Sequence, residues 1–135
     1  MRGVNSTVVL AALGLLFSAR PAPAHHSFMA EFDQLKPMTV TGVVTKIEWQ
    51  NPHAFFYLEA KDESGRLVKW SFQTATPNAL TNRGWKRESV KVGDQVTVQG
   101  YLARHGSNFA AARSVLMPNG KKVFTGTMDD GGPDK

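Results

Sequence analysis

The sequence predicts an all-β fold, a small OB-fold-like Greek-key barrel of five main strands with one short helix between strands 3 and 4. Three observations predict it. Apolar residues alternate with polar ones in several short segments, as half-buried strands require. Glycine- and proline-bearing turns separate those segments at short intervals. A single helical signature, Thr76-Pro77-Asn78-Ala79-Leu80, falls between the third segment and the fourth. That element order is the one an OB barrel uses.

The chain opens with Arg2 and an apolar run from Val8 to Phe17, followed by the small-x-small triplet Ala22-Pro23-Ala24. This is the pattern of a secretory signal peptide over residues 1–24, and the run is far shorter than the roughly 20 residues of a membrane span. The mature chain is therefore expected in the periplasm or secreted, without a transmembrane anchor, beginning at His25. Residues 25–37 show no clean period and end at Pro37, so they read as an extended N-terminal arm.

The barrel domain is expected over 38–126. Met38 to Trp49 is rich in Val, Thr and Ile and reads as a long first strand, with Gly42 marking a bulge or bend. Asn51-Pro52 turns the chain into Ala54–Ala60, whose even-numbered residues are apolar. Asp62-Glu63-Ser64-Gly65 makes a polar hairpin into Val68, Trp70 and Phe72. Thr76 is a natural N-cap for a helix that Arg83-Gly84 stops, leaving Trp85 to plug the core. Val92-Gly93-Asp94 feeds Val96, Val98, Gly100 and Leu102. Ala110 to Met117 forms the fifth strand, and Asn119-Gly120 turns the chain into Val123-Phe124. Residues 127–135 read as a disordered tail.

Composition narrows the function classes. There are no cysteines, which removes disulfides, zinc–thiolate sites and thiol catalysis. Signal cleavage would take Arg2 and Arg20 from the 16 basic residues and none of the 11 acidic ones, so a net charge of +5 becomes +3. That is too mild a surplus for a polyanion footprint, and nucleic acid is not an expected partner. No nucleophile elbow, phosphate loop or His-Glu-x-x-His pair occurs, so the chain does not read as an enzyme. A monomer is expected.

Several stretches together carry a family likeness: Ala24-His25-His26-Ser27-Phe28, Trp49-x-Asn51-Pro52-His53-Ala54, Pro77-Asn78-Ala79-Leu80, Arg83-Gly84-Trp85 and Ala112-Arg113-Ser114-Val115. On these the chain resembles small secreted bacterial proteins grouped as a domain of unknown function. The resemblance implies secretion and an OB-like barrel. It brings no activity with it, so function has to come from the chemistry of the side chains.

Of the four histidines, His25 and His26 would begin the mature chain, and His53 sits in the turn between the first two strands. An N-terminal histidine offers its α-amino group and ring Nδ1 to one metal ion as a chelate, and an amine pKa near 7.7 makes that possible at neutral pH. Nitrogen ligands of this kind favour copper, with Met29 or Met38 as candidate thioethers for the cuprous ion. His25, His26 and His53 are thus the candidate metal ligands. The 13-residue arm, up to roughly 43 Å extended, could run back beside a first strand of about 36 Å to bring them together. Glu31 and Asp33 read either as orienting partners for an imidazole or as solubilising charges, and His105 as a loop-tip residue.

The competing expectation is a metal-free interaction module. Phe55, Tyr57 and Tyr101 occupy outward registers and could line a groove for an envelope protein, a peptide or a glycan. The plainer alternative is that Phe28 and Phe32 of the arm cover such rings.

Overall fold

The structure is a computed structural model and describes residues 28–127. Among these, a helical turn α1 (Phe28–Glu31) leads into β1 (Phe32–Glu48), β2 (Phe55–Lys61) and β3 (Leu67–Gln73). Helix α2 (Pro77–Asn82) is followed by β4 (Gln95–Ala103), β5 (Phe109–Leu116) and the short β6 (Lys122–Phe124). The sheet order is β3-β2-β1-β4-β5-β6, and a parallel pairing of β3 with β5 closes it into a barrel. The expected OB-like all-β class and the single helix between strands 3 and 4 are what the chain forms.

The inward residues are those the alternation selects. Val44, Phe56, Leu58, Phe72, Val96, Val98, Ala110, Ala112 and Val115 fill one core, with Leu80 and Trp85 packed over it. Trp85 lies against Phe56 and Trp49, at ring separations of 5.8 and 6.5 Å. Thr76 caps α2 by accepting from the Ala79 N–H at 3.2 Å, with Pro77 at the first helical position. Gly84, at φ +88°, takes the left-handed conformation that ends the helix.

One expected boundary is corrected. The arm over 25–37 does not stay extended and apart: residues 28–31 coil into α1, and β1 begins at Phe32, six residues before Met38. Pro37 does not end anything, because it pairs with Tyr101 inside β1. Two features make it tolerable there. The ladder to β4 slips between Phe32 and Pro37, and β1 meets β2 only from Val43 onward, so on that side no strand needs the missing N–H. The predicted signal peptide, His25, His26 and the tail beyond Thr127 lie outside the described residues.

α1 is fastened by Arg104 in the β4–β5 turn. The Arg104 amide donates to the Glu31 carbonyl at 2.8 Å and its Nε to the Met29 carbonyl at 2.7 Å, while its guanidinium lies 3.6 Å from Asp33. Phe28 and Phe32 then pack on the outer face of the barrel. Their rings stand 5.1 Å apart, Phe28 meets the edge of Tyr101 at 6.2 Å, and Phe32 meets Phe109 at 5.4 Å. Phe32 is 1% exposed, so the centre of this small outer cluster is as dry as the barrel interior, with half-buried Phe28, Tyr101 and Phe109 around it.

β4 crosses β5 very closely at Gly100, where the register also shifts. A Cβ there would stand 1.8 Å from the Ala111 carbonyl oxygen, which is backbone and cannot swing aside. Gly100→Ala is expected to destabilise the fold by about 2–3 kcal/mol, at the upper end of overpacking effects. Gly106→Ala meets only the strain of a positive φ with open space around it and should cost about 1 kcal/mol. Urea unfolding of both variants checks the order; equal losses would contradict it.

Candidate functional site

His53 follows the cis Asn51–Pro52 bond and is half-buried. Its Nδ1 lies 2.7 Å from the Thr74 carbonyl oxygen. A carbonyl only accepts, so Nδ1 carries the proton, and in the neutral ring Nε2 is the lone-pair nitrogen. Thr74 is itself rigid: its amide and hydroxyl both donate to the Ala54 carbonyl, at 3.0 and 2.9 Å. The imidazole is therefore held in one tautomer by backbone that is itself bonded to Ala54, the arrangement that usually backs a metal-binding histidine.

Among the described residues no three His, Asp or Glu side chains are gathered as a metal ion would need. The other two expected ligands, His25 and His26, lie outside the described residues. The route expected for the arm, back along the first strand, is excluded because residues 32–37 are part of that strand. The barrel supplies another. Phe28 and Thr74 line one narrow crevice, together with Gln73, Ala111, Ala112, Gly126 and Thr127. Closure of β3 on β5 places the start of the described chain beside the residue that holds His53.

The remaining candidates near the histidines separate. Asp33 accepts from the Leu35 amide and pairs with Arg104, so it secures α1. Met38 packs against the barrel core, while Met29 is exposed on α1. His105 is exposed in the β4–β5 turn.

The three aromatic candidates do not share a cleft. Tyr57 is taken up by its neighbours: its hydroxyl donates to Glu48 at 2.8 Å, Lys46 pairs with the same carboxylate, and the ammonium lies 5.2 Å from the Tyr57 ring centre. The Lys46 and Tyr57 hydrogen bonds hold the Glu48 carboxyl below its ordinary range. Burial first, and the Glu48 contact second, push the Tyr57 phenol up. Phe55 is half-buried on β2, between Glu48 and Gln73.

Tyr101 belongs to a cleft of about 380 Å³ on the outer face of β1, β4, β5 and β6. Its floor includes one register row across all four strands, Thr39, Gln99, Ser114 and Phe124. Arg113 and Lys122 add two cations, and none of the lining residues is acidic. The Arg113 guanidinium donates to the Tyr101 hydroxyl at 3.3 Å, and the Ser114 hydroxyl to the Gln99 side-chain oxygen at 3.2 Å. Sequence reasoning passed over Gln99, Arg113, Ser114, Lys122 and Phe124. The signal that could have found them is two cations on outward registers of adjacent terminal strands, but the strand pairing that joins them is not visible in the sequence.

Residues 12–112 match the description "Family of unknown function (DUF6152)". The chain belongs to that family. No curated protein matches this DUF6152 chain. Among solved structures it is similar to the N-terminal domain of the PriB protein from Thermoanaerobacter tencongensis, described as dimeric, at 22% identity and a TM-score of 0.41. That likeness covers 62% of this chain and 96% of the other.

In a Tyr101→Phe chain Tyr57 is the remaining tyrosine. Its phenolate absorbance is expected to rise at a pH above the ordinary value of about 10. Adding Glu48→Gln should bring the midpoint part of the way down, since burial persists. Spectrophotometric titration checks both, and a midpoint indifferent to Glu48→Gln would contradict the contact.

Proposed function

We propose that this chain is a secreted or periplasmic binding module that holds one copper(II) ion through the α-amino group and ring of His25, the ring of His26 and Nε2 of His53. One observation carries the reading: His53 is fixed by the Thr74 carbonyl, and Thr74 lines a crevice with Phe28, only three residues after His25. Three residues reach about 10 Å when extended.

The chemistry follows from the ligand set. An amine and imidazoles are borderline donors that suit copper(II) above the other first-row divalent ions, and no thiolate is available to draw zinc. A terminal amine and its own Nδ1 chelate together, so the ion is held at the chain end before His53 completes the set. His53 then ties the terminus to the barrel. Because the amine has to lose its proton, affinity rises with pH through the amine's ordinary pKa near 7.7, and copper binding releases protons.

The reading depends on cleavage after Ala24, which intact mass of the exported protein establishes directly. Copper titration of the chain beginning at His25 is expected to show one tight equivalent. One added N-terminal alanine should abolish the tight equivalent, because the chelate needs a terminal histidine. His53→Gln should weaken binding about tenfold or more, within the range of losing one anchored ligand. Equal binding by the parent and the alanine-extended chain would overturn the proposal.

A further inference from the structure

The net positive charge of the chain is small, but it is unevenly placed. Residues 28–63 hold six acidic and three basic side chains, whereas residues 64–127 hold two acidic and ten basic ones. Five of those ten, Lys86, Arg87, Lys91, Lys121 and Lys122, stand exposed on the α2–β4 loop and the β5–β6 hairpin. We propose that these two segments form one surface that docks reversibly on membranes bearing anionic phospholipid headgroups.

The fold brings the segments together at both ends. At one end the Lys121 ammonium lies against Gly84, where an added Cβ would stand 3.2 Å from it. Arg83 next to it donates to the Gly126 carbonyl at 2.7 Å and lies 4.6 Å from the centre of the Phe124 ring, which fastens the start of the loop to β6. At the other end Gln95, three residues after Val92, lines one shallow groove with Leu116 and Pro118.

The five cations are not neutralised locally. The ion pairs Lys46–Glu48, Arg66–Asp62 and Arg104–Asp33 lie elsewhere, and among the described residues none of the five is in one. Of the two acidic residues on the loop, Asp94 accepts from the Lys91 amide at 2.9 Å, which leaves Glu88. Lysine on an edge strand commonly wards off other strands. That accounts for Lys122 but not for Lys86, Arg87 and Lys91, which are on no strand.

Two further features select a lipid surface. Four of the five are lysines, hydrated point charges on flexible stems, which suit many shifting headgroups better than one ligand held in a fixed fork. Val92, beside Lys91, and Leu116, paired with Lys122, are 67% and 43% exposed, and apolar side chains so placed can enter the boundary between headgroups and acyl chains. A single-stranded nucleic acid would instead need exposed rings for its bases, and none of the large apolar side chains exposed among the described residues is aromatic. The surface uses no residue of the copper site, so the two proposals stand or fall separately.

Co-sedimentation of the metal-free mature chain with vesicles of mixed phosphatidylcholine and phosphatidylglycerol, set against phosphatidylcholine alone, tests the surface. Binding is expected to the acidic vesicles only, and to fall as salt is raised. Lys121→Glu with Lys122→Glu should weaken it at least about twenty-five-fold, from about fivefold for each cation lost. Lys86→Glu with Arg87→Glu should weaken it to a similar degree, so a pair that thermal unfolding shows to be misfolded leaves the other to decide. Lys36→Glu with Lys69→Glu changes the net charge equally at exposed positions on β1 and β3 and should cost far less. Equal binding to neutral vesicles, equal losses in the patch and control pairs, undiminished binding by the folded patch pairs, or capture by oligothymidylate without binding to acidic vesicles would each overturn the proposal, as would no vesicle binding at all.

Discussion

Val43 of β1 pairs with Glu59 of β2 on one side and with Gln95 of β4 on the other, and the rest of the molecule depends on that double engagement. Upstream of Val43 the strand belongs to β4; downstream it belongs to β2. A strand that changes partners midway must be long and strongly coiled. Gly42 permits it, since a Cβ there would stand 2.6 Å from the Glu59 carbonyl oxygen. Once β1 bends this way, β2–β3 and β4–β5 become two hairpins on a common spine, and β3 can close on β5. The β3–β5 pairing covers part of the edges that would otherwise invite pairing with other chains.

Strand order also creates the two places where chemistry collects: the β3–β5 closure makes the first. It sets the end of β3, with Thr74 and His53 behind it, beside the start of β1 and the α1 turn. The antiparallel order β1-β4-β5-β6 separately aligns Thr39, Gln99, Ser114 and Phe124 in one outer row. Residues far apart in sequence, such as Phe28 and Thr74 or Thr39 and Phe124, meet because of strand order. The site chemistry is thus a consequence of the barrel's topology, with His53 bonded to the Thr74 carbonyl and Tyr101 to Arg113 across the chain.

Much of the fold was legible because it is written in local pattern. Period-two alternation picked Phe56, Leu58 and Phe72 for the core, and Thr76-Pro77 with Gly84 bounded the helix, since caps and turns depend on a few adjacent residues. Pro37 misled for a physical reason: proline is disfavoured where strands flank it on both sides, and this stretch of β1 has β4 on one side only. Tyr101 and Tyr57 both occupy outward registers, yet one lines a cleft and the other is occupied by Glu48 and Lys46, because cross-strand neighbours are set by register and not by sequence spacing. His53 stood out from its turn and its neighbours, but the Thr74 carbonyl that fixes its tautomer lies 21 residues away and could not be read from the chain.

The central claim is that the N-terminal histidines and His53 share one ion. The most direct measurement follows the histidine ring protons of the chain beginning at His25 while copper(II) is added in small substoichiometric steps, since the ion broadens the resonances of rings that bind it. The account predicts that His25, His26 and His53 broaden together, while His105, exposed in the β4–β5 turn, stays sharp. A His53 resonance that remains sharp while the terminal histidines broaden would contradict it and confine the metal to the chain end.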